Sequence, residues 1–321
     1  MPRCLLTLLA AYVLALTAHA QGPDTTTPPP GWGQERRTIL VTGYWPPTNE
    51  MLRPFSPNPA QNPSAWIGEN WEGRGYDIKA YFPEFPGGTG SNPRGTGDFE
   101  VDYQDTAADL ARLIDELKPV AVVSFSRANT SVGWEMEPAY QRFRLPGESQ
   151  LPGRSIPIYS QDYLGNRYPT EALAGIPIGD VRLSTLPMTQ IRDAVAAALP
   201  ASQINPFIPA YNPATPDTFD YAGAFLSGYL PYLAARHRDA HNSPDDPFRM
   251  VMSGHVHIGS GLNVAVGTQA TMITLREVTR SLDAYVGIVP SPGVAAVLLS
   301  PLLLNPRRRS NRSARCHRPR T

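Results

Sequence analysis

The chain has 321 residues, 41% of them hydrophobic, enough for one sizeable core. Arg3 and the seven arginines from Arg307 to Arg320 hold 8 of the 28 basic groups, so residues 21–305 keep 20 basic against 28 acidic groups, a net of −8. An acidic body without a basic stripe excludes nucleic acid as the expected partner. The only cysteines, Cys4 and Cys316, lie in the terminal segments and leave the body without a disulfide framework, a thiolate metal site or a thiol nucleophile.

Residues 1–20 carry Arg3, an apolar run from Leu5 and Ala18-His19-Ala20 before Gln21, the pattern of a secretory signal. A Pro/Thr-rich linker, residues 21–36, follows. The expected location is therefore outside the cytoplasm. Residues 37–43, RTILVTG, read as a strand ended by glycine. Tyr44-Trp45-Pro46-Pro47 opens a long loop that runs through Asn62-Pro63-Ser64, and residues 65–71 read as a short helix. YDIKAYF, residues 76–82, is a second strand, and the Gly/Pro-rich residues 83–97 form a loop. In residues 105–117, Ala108, Leu110, Leu113, Ile114 and Leu117 recur at helical spacing before Lys118-Pro119 stops the helix. The continuous apolar run VAVVSF, residues 120–125, suits a strand buried on both faces.

Residues 154–158 are weakly strand-like. LSTLP, residues 183–187, leads into a helix over 188–199. Residues 205–216 form a proline-rich loop with a short strand at Phe207-Ile208. A helix over residues 220–236 has Leu226, Leu230 and Leu233 on one face, with Ser227 at its start. A polar linker, a strand over 249–258 and a helix over 274–283 complete the body. Strands alternating with helices predict a three-layer α/β/α sandwich around a mostly parallel sheet, one domain over residues 37–284. Ligands in such sheets bind at the carboxyl ends of the strands, where the loops after Val41, Phe125 and Ile258 should converge. In the tail, residues 285–321, Pro290-Ser291-Pro292 precedes an apolar run, 293–304, too short to span a bilayer comfortably, and then Arg307-Arg308-Arg309. This tail resembles the PEP-CTERM sorting signals of exporting Gram-negative bacteria, with Ser291 where the family has Glu. That resemblance implies transient contact with a membrane or a sortase, and a periplasmic, cell-surface or secreted protein. A disordered tail is the other reading.

Two chemistries compete in the body. His255 and His257 stand two apart on a strand, which puts both on one face and permits a metal site. The carboxylate, Asn and His ligands that such a site would add are not found in any matching motif, so no metal or other cofactor is expected. The alternative is nucleophilic catalysis: Ser227 at a helix N-terminus, where free N–H groups favour a developing anion, with His257 as base. The bland reading of Ser227 is a packing or capping residue.

LVTGYWPP…NPS, KPVAVVSF, LSTLP, AGAFLSGYL and HVHIG stand in the order of the motifs of the pyroglutamyl peptidase (pyrrolidone-carboxylate peptidase) family, and the chain resembles that family over residues 38–284. The resemblance implies an amide hydrolase that removes an N-terminal pyroglutamyl or related acyl group, acting on a small peptide or amide. Its catalytic histidine falls on His257, its acid on Glu137 and its cysteine nucleophile on Ser227. Substrate contacts fall on Tyr44, Arg127 and Asn62. The departures are Pro47 for the second aromatic of the family's lactam pocket, Ser126-Arg127 for Gly-Gln, Gly228 for the asparagine after the nucleophile and Gly259 for a proline. An inward Arg127 would favour an acidic ligand; a solvated one would not. With serine in place of cysteine, the two outcomes are a serine hydrolase and an inactive binding or surface protein on the same fold. Nothing in the sequence addresses the oligomeric state.

Overall fold

The computed structural model describes residues 36–128, 130–162, 167–212 and 223–285. The expected secretory signal, the tail expected to act in sorting and the expected start of the helix at residue 220 lie outside these. Six strands form one sheet: β1 (Arg37–Thr42), β2 (Tyr76–Tyr81), β3 (Ala121–Ala128), β4 (Gly133–Glu137), β7 (Asn205–Phe207) and β8 (Met252–Gly259), in the order β2-β1-β3-β8-β4-β7. β2, β1, β3 and β8 run parallel, β4 lies antiparallel to β8, and β7 pairs parallel to β4. A small ladder, β5 (Ala139–Gln141) with β6 (Val181–Leu183), stands apart from it.

Period-2 alternation splits the buried side chains of the sheet into two cores. Ile39, Val41, Val123, Phe125, Trp134 and Val256 pack on one side under the helices α1 (Thr48–Leu52), α3 (Met188–Ala198) and α5 (Val264–Tyr285). Leu40 and Val122 pack on the other side with α2 (Tyr103–Leu117) and α4 (Leu226–Ala240). The result is a three-layer α/β/α sandwich with a mostly parallel sheet, as the alternation of elements predicts.

The local corrections have physical causes. Residues 65–71 form no helix, because their polar groups are committed sideways. Ile67 N–H donates to Pro54 O (3.1 Å), Ile78 N–H donates to Gly68 O (2.9 Å), and the Trp66 indole donates to Ile78 O (2.8 Å). Only a 3-10 turn at Trp71–Gly73 follows. The loop after β1 hides α1. Residues 154–158 contribute one bridge, Arg144 with Ile158, rather than a strand. α2 starts at Tyr103 because Asp102 caps it, its side chain accepting from Asp105 N–H at 2.8 Å. α5 begins well before residue 274, where Asn263 Oδ1 accepts from Ala265 N–H at 2.9 Å. β4, β5 and β6 are strands that the sequence pattern does not predict.

Candidate active site

The helix that carries Ser227 is tied down at its far end and at the residue that leads into it. At its C-terminal end Arg238 Nη1 donates to Ser253 Oγ (3.0 Å) and to Leu183 O (2.9 Å), so this end of α4 lies over the start of β8. Going back from Arg238 to Ser227 covers about 16 Å of helix at 1.5 Å per residue. Going forward from Ser253 to His257 covers about 13 Å of strand. The two lengths are comparable, and His257 stands near the carboxyl end of β8. Before α4, Ala224 O accepts from Ser160 N–H (2.7 Å) and from the Tyr103 hydroxyl (3.3 Å), which pins the approach to the helix.

Ser227 occupies the first turn of α4. That turn has no side-chain cap; Gly228 and Tyr229 N–H donate to Phe225 O, at 3.1 and 3.0 Å. The N–H groups of Leu226 and Ser227 precede any intrahelical acceptor and face the positive end of the helix. Pro231 sits inside the helix and has no N–H to give to Ser227 O four residues earlier, which loosens this turn. Gly223 has φ +98, and a Cβ there would stand 2.9 Å from Ser227 Oγ. A Cβ on Gly228 would lie 2.1 Å from Gly223 O. The two glycines thus let a sharp turn fold directly against the serine.

On the α2/α4 side of the sheet, three neighbouring strands present polar residues where the other side is apolar. β3 gives Ser124 and Ser126, β8 gives His255 and His257, and β4 gives Glu135 and Glu137. Ser124 lies across from His255, Ser126 and Glu135 across from His257, and Glu137 across from His255. His255 is fully buried, and its ring bridges Ser124 Oγ at Nδ1 (2.8 Å) and Ser126 Oγ at Nε2 (2.9 Å). Ser124 gives its own proton to Gly254 O at 3.3 Å, so it accepts from Nδ1–H and Ser126 donates to Nε2. Burial, reinforced by His257, holds the His255 imidazole well below the usual histidine range, and it stays neutral. Its ring stands edge-on to that of His257, with centroids 4.7 Å apart.

His257 is partly exposed and Glu137 is buried, with side-chain exposures of 13% and 2%. His257 Nδ1 is 2.8 Å from Glu137 Oε1. A carboxylate accepts, so the proton is on Nδ1 and Nε2 carries the lone pair. Ser227 Oγ makes no hydrogen bond to His257 among the described residues. Glu135, Glu137 and His257 also hold ligand atoms within 4.8 Å of one another, close enough to share a cation.

No protein-family model matches the chain, and no curated protein matches it significantly. Among solved structures, it is similar to a variant of the pyrrolidone carboxyl peptidase of the hyperthermophile Pyrococcus furiosus, with TM-score 0.49 and 16% identity over 76% of this chain and 99% of that one. It is similar also to the pyroglutamyl peptidase I of Bacillus amyloliquefaciens, with TM-score 0.47 and 16% identity over 76% and 97% of the two chains. The pyrrolidone carboxyl peptidase of Thermococcus litoralis gives TM-score 0.49 and 14% identity over 77% and 96%. These likenesses concern the course of the backbone and carry nothing about side-chain chemistry.

Three candidates remain. Arg127 is exposed at the end of β3, its guanidinium carbon 5.0 Å from the centroid of the Trp45 ring. Tyr44 is buried in the core shared with α2 and α4, and its phenol is pushed well above its ordinary range by that burial. Asn62 donates to Pro54 O (3.0 Å), Ser56 O (3.2 Å) and Ala65 O (2.9 Å), so its amide braces the loop after α1. Glu135 and Ser124 are not among the site residues that the sequence motifs point to. Their signal was the alternation Gly-Trp-Glu-Met-Glu over residues 133–137, beside the two serines of VVSFS.

Proposed function

We propose that the protein is an exported amide hydrolase of the pyroglutamyl-peptidase type, with Ser227 as nucleophile, His257 as general base and Glu137 as the acid that orients it. One observation carries the reading: the 2.8 Å bond from His257 Nδ1 to a buried Glu137, which fixes the tautomer that leaves Nε2 basic. In this account Ser227 Oγ attacks the carbonyl carbon while its proton passes to His257 Nε2. The resulting oxyanion takes hydrogen bonds from the first-turn N–H groups of α4. Collapse breaks the C–N bond, and His257 returns the proton to the leaving amine. Water then hydrolyses the acyl–serine ester by the same base. Ser227 turns toward His257 as the substrate closes the site, since catalytic hydrogen bonds often form only in the complex. The motif order points to a pyroglutamyl or related N-terminal acyl group on a small peptide, with Tyr44, Arg127 and Asn62 on the substrate side of the assignment.

The test is hydrolysis of a pyroglutamyl chromogenic amide by purified, folded protein. Turnover that falls by about 10⁶ in Ser227→Ala supports the proposal. A flat trace from the unaltered protein leaves a binding or surface protein on the same fold. The closeness of Glu135, Glu137 and His257 favours a second reading, metal-assisted hydrolysis. Activity removed by a chelator and insensitive to Ser227→Ala selects that reading.

A further inference from the structure

The turn that presents Ser227 is gripped by a side chain with no part in the chemistry above. Tyr103, the first residue of α2, is fully buried. Its hydroxyl proton is shared between Ser160 O, at 2.8 Å, and Ala224 O, at 3.3 Å. Burial pushes the phenol well above its ordinary range, so the group stays a donor. Its ring stands edge-on to the rings of Phe225 and Tyr229, with centroids 5.3 and 5.1 Å away. One side chain thus touches Ala224, Phe225 and Tyr229, on both sides of Ser227 in the chain.

We propose that Tyr103 is a positioning residue for the Ser227 nucleophile; the proposal rests on the hydrolase reading above. The first turn of α4 needs support from outside the helix, because Pro231 supplies no N–H to Ser227 O. The carbonyl that the Tyr103 hydroxyl and Ser160 N–H hold, Ala224 O, lies between Gly223 and the helix. Gly223 in turn packs beside Ser227 Oγ. Freeing that carbonyl would let its peptide rotate. Ser227 Oγ would then shift, and with it the N–H groups of Leu226 and Ser227 that receive the oxyanion. The clamp is itself anchored. Asp102, next to Tyr103, accepts from Asp105 N–H (2.8 Å) and from Arg167 Nη2 (2.8 Å), and Arg167 Nε donates to Asp162 Oδ2 (2.9 Å). Asp162 follows Ser160 closely in the chain, so these ion pairs join the two segments that meet at the Tyr103 hydroxyl. Tyr159 completes the cluster, edge-on to Tyr103 at 5.9 Å and to Tyr229 at 6.2 Å, while its own hydroxyl donates to Gln141 O at 3.5 Å.

Tyr103→Phe, which keeps the ring and removes the hydroxyl, tests it beside Tyr159→Phe, which removes a buried hydroxyl of the same cluster. Both variants are checked for folding by circular dichroism and denaturant midpoint. Tyr103→Phe should lower kcat for the pyroglutamyl amide by about 10- to 100-fold with KM little changed, the cost of a misplaced nucleophile. Tyr159→Phe should stay close to the unaltered protein. Hydrogen exchange read by mass spectrometry needs no substrate: peptides spanning residues 223–229 should exchange faster in Tyr103→Phe alone. Should the unaltered protein hydrolyse nothing, that result counts against the hydrolase reading, and faster exchange confined to this turn still upholds the clamp. Unchanged exchange in Tyr103→Phe, an unchanged kcat, or equal losses in the two variants would overturn the proposal.

Discussion

His257 and Glu137 come from strands that pair antiparallel, and their meeting depends on register: a slip of β4 by one residue would send Glu137 to the apolar side of the sheet and leave His257 behind. The carboxylate sets the tautomer, and that is the function to remove first. Glu137→Gln should cut turnover of the pyroglutamyl amide by about 10⁴-fold with KM little changed, because the amide can hold the ring in the wrong tautomer. An unchanged kcat in a folded variant would detach Glu137 from the reaction. The nucleophile makes a second prediction. Ser227→Cys should remain active and become sensitive to peroxide, since a thiolate beside an imidazole oxidises readily and a hydroxyl does not. A Cys variant that resists peroxide, or that labels no faster than a surface thiol, would place Ser227 outside the basic environment.

At the scale of elements, the turn into α4 decides whether the serine can be presented at all. Gly228 stands where the resembling family has asparagine, yet a Cβ at this position would lie 2.1 Å from Gly223 O, a backbone atom that cannot simply swing away. Gly228→Ala and Gly228→Asn should each cost about 1–3 kcal/mol of stability, read as a lowered denaturant midpoint, and lower turnover as the first turn is displaced. A neutral substitution would mean that the turn relaxes freely. The glycine at this position therefore goes with a close-packed local turn. The same logic explains why the sequence misled about residues 65–71. Their composition allows a helix, but Gly68 packs against Ile78 O, where a Cβ would lie 2.0 Å away, and the neighbouring backbone serves β2 instead. Tertiary pairing decided that segment.

The whole molecule shows which features patterns of residue type can reveal. β1, β2, β3, β8 and the helix α2 follow from apolar runs and helical spacing, and with them the layered architecture. β4 was legible in principle, because Trp134 and Met136 alternate with Glu135 and Glu137, but a five-residue strand beside a proline gives a weak signal. The three carbonyl partners of Asn62 are visible only once the loop is folded. The buried bridge of His255 between Ser124 and Ser126 was equally hidden, since it joins residues 129 to 131 positions apart. That bridge has a consequence for stability. His255 is neutral in the fold and titrates near pH 6.5 when unfolded, so its contribution is present above about pH 6.5 and lost as pH falls toward its depressed folded value. One such proton makes stability fall by up to about 1.4 kcal/mol per pH unit in that window. Denaturant midpoints between pH 7 and pH 5 should therefore decline more steeply in the unaltered protein than in His255→Gln, with His257, Glu135 and Glu137 common to both. Equal slopes would mean that His255 is protonated in the fold.

Reaction of the purified protein with a fluorophosphonate, read by intact mass and peptide mapping, asks most directly whether residue 227 is an activated nucleophile. The account predicts a single adduct on Ser227 in the unaltered chain, and its loss in His257→Ala. An unmodified protein, or a label that lands elsewhere or persists without His257, would contradict it.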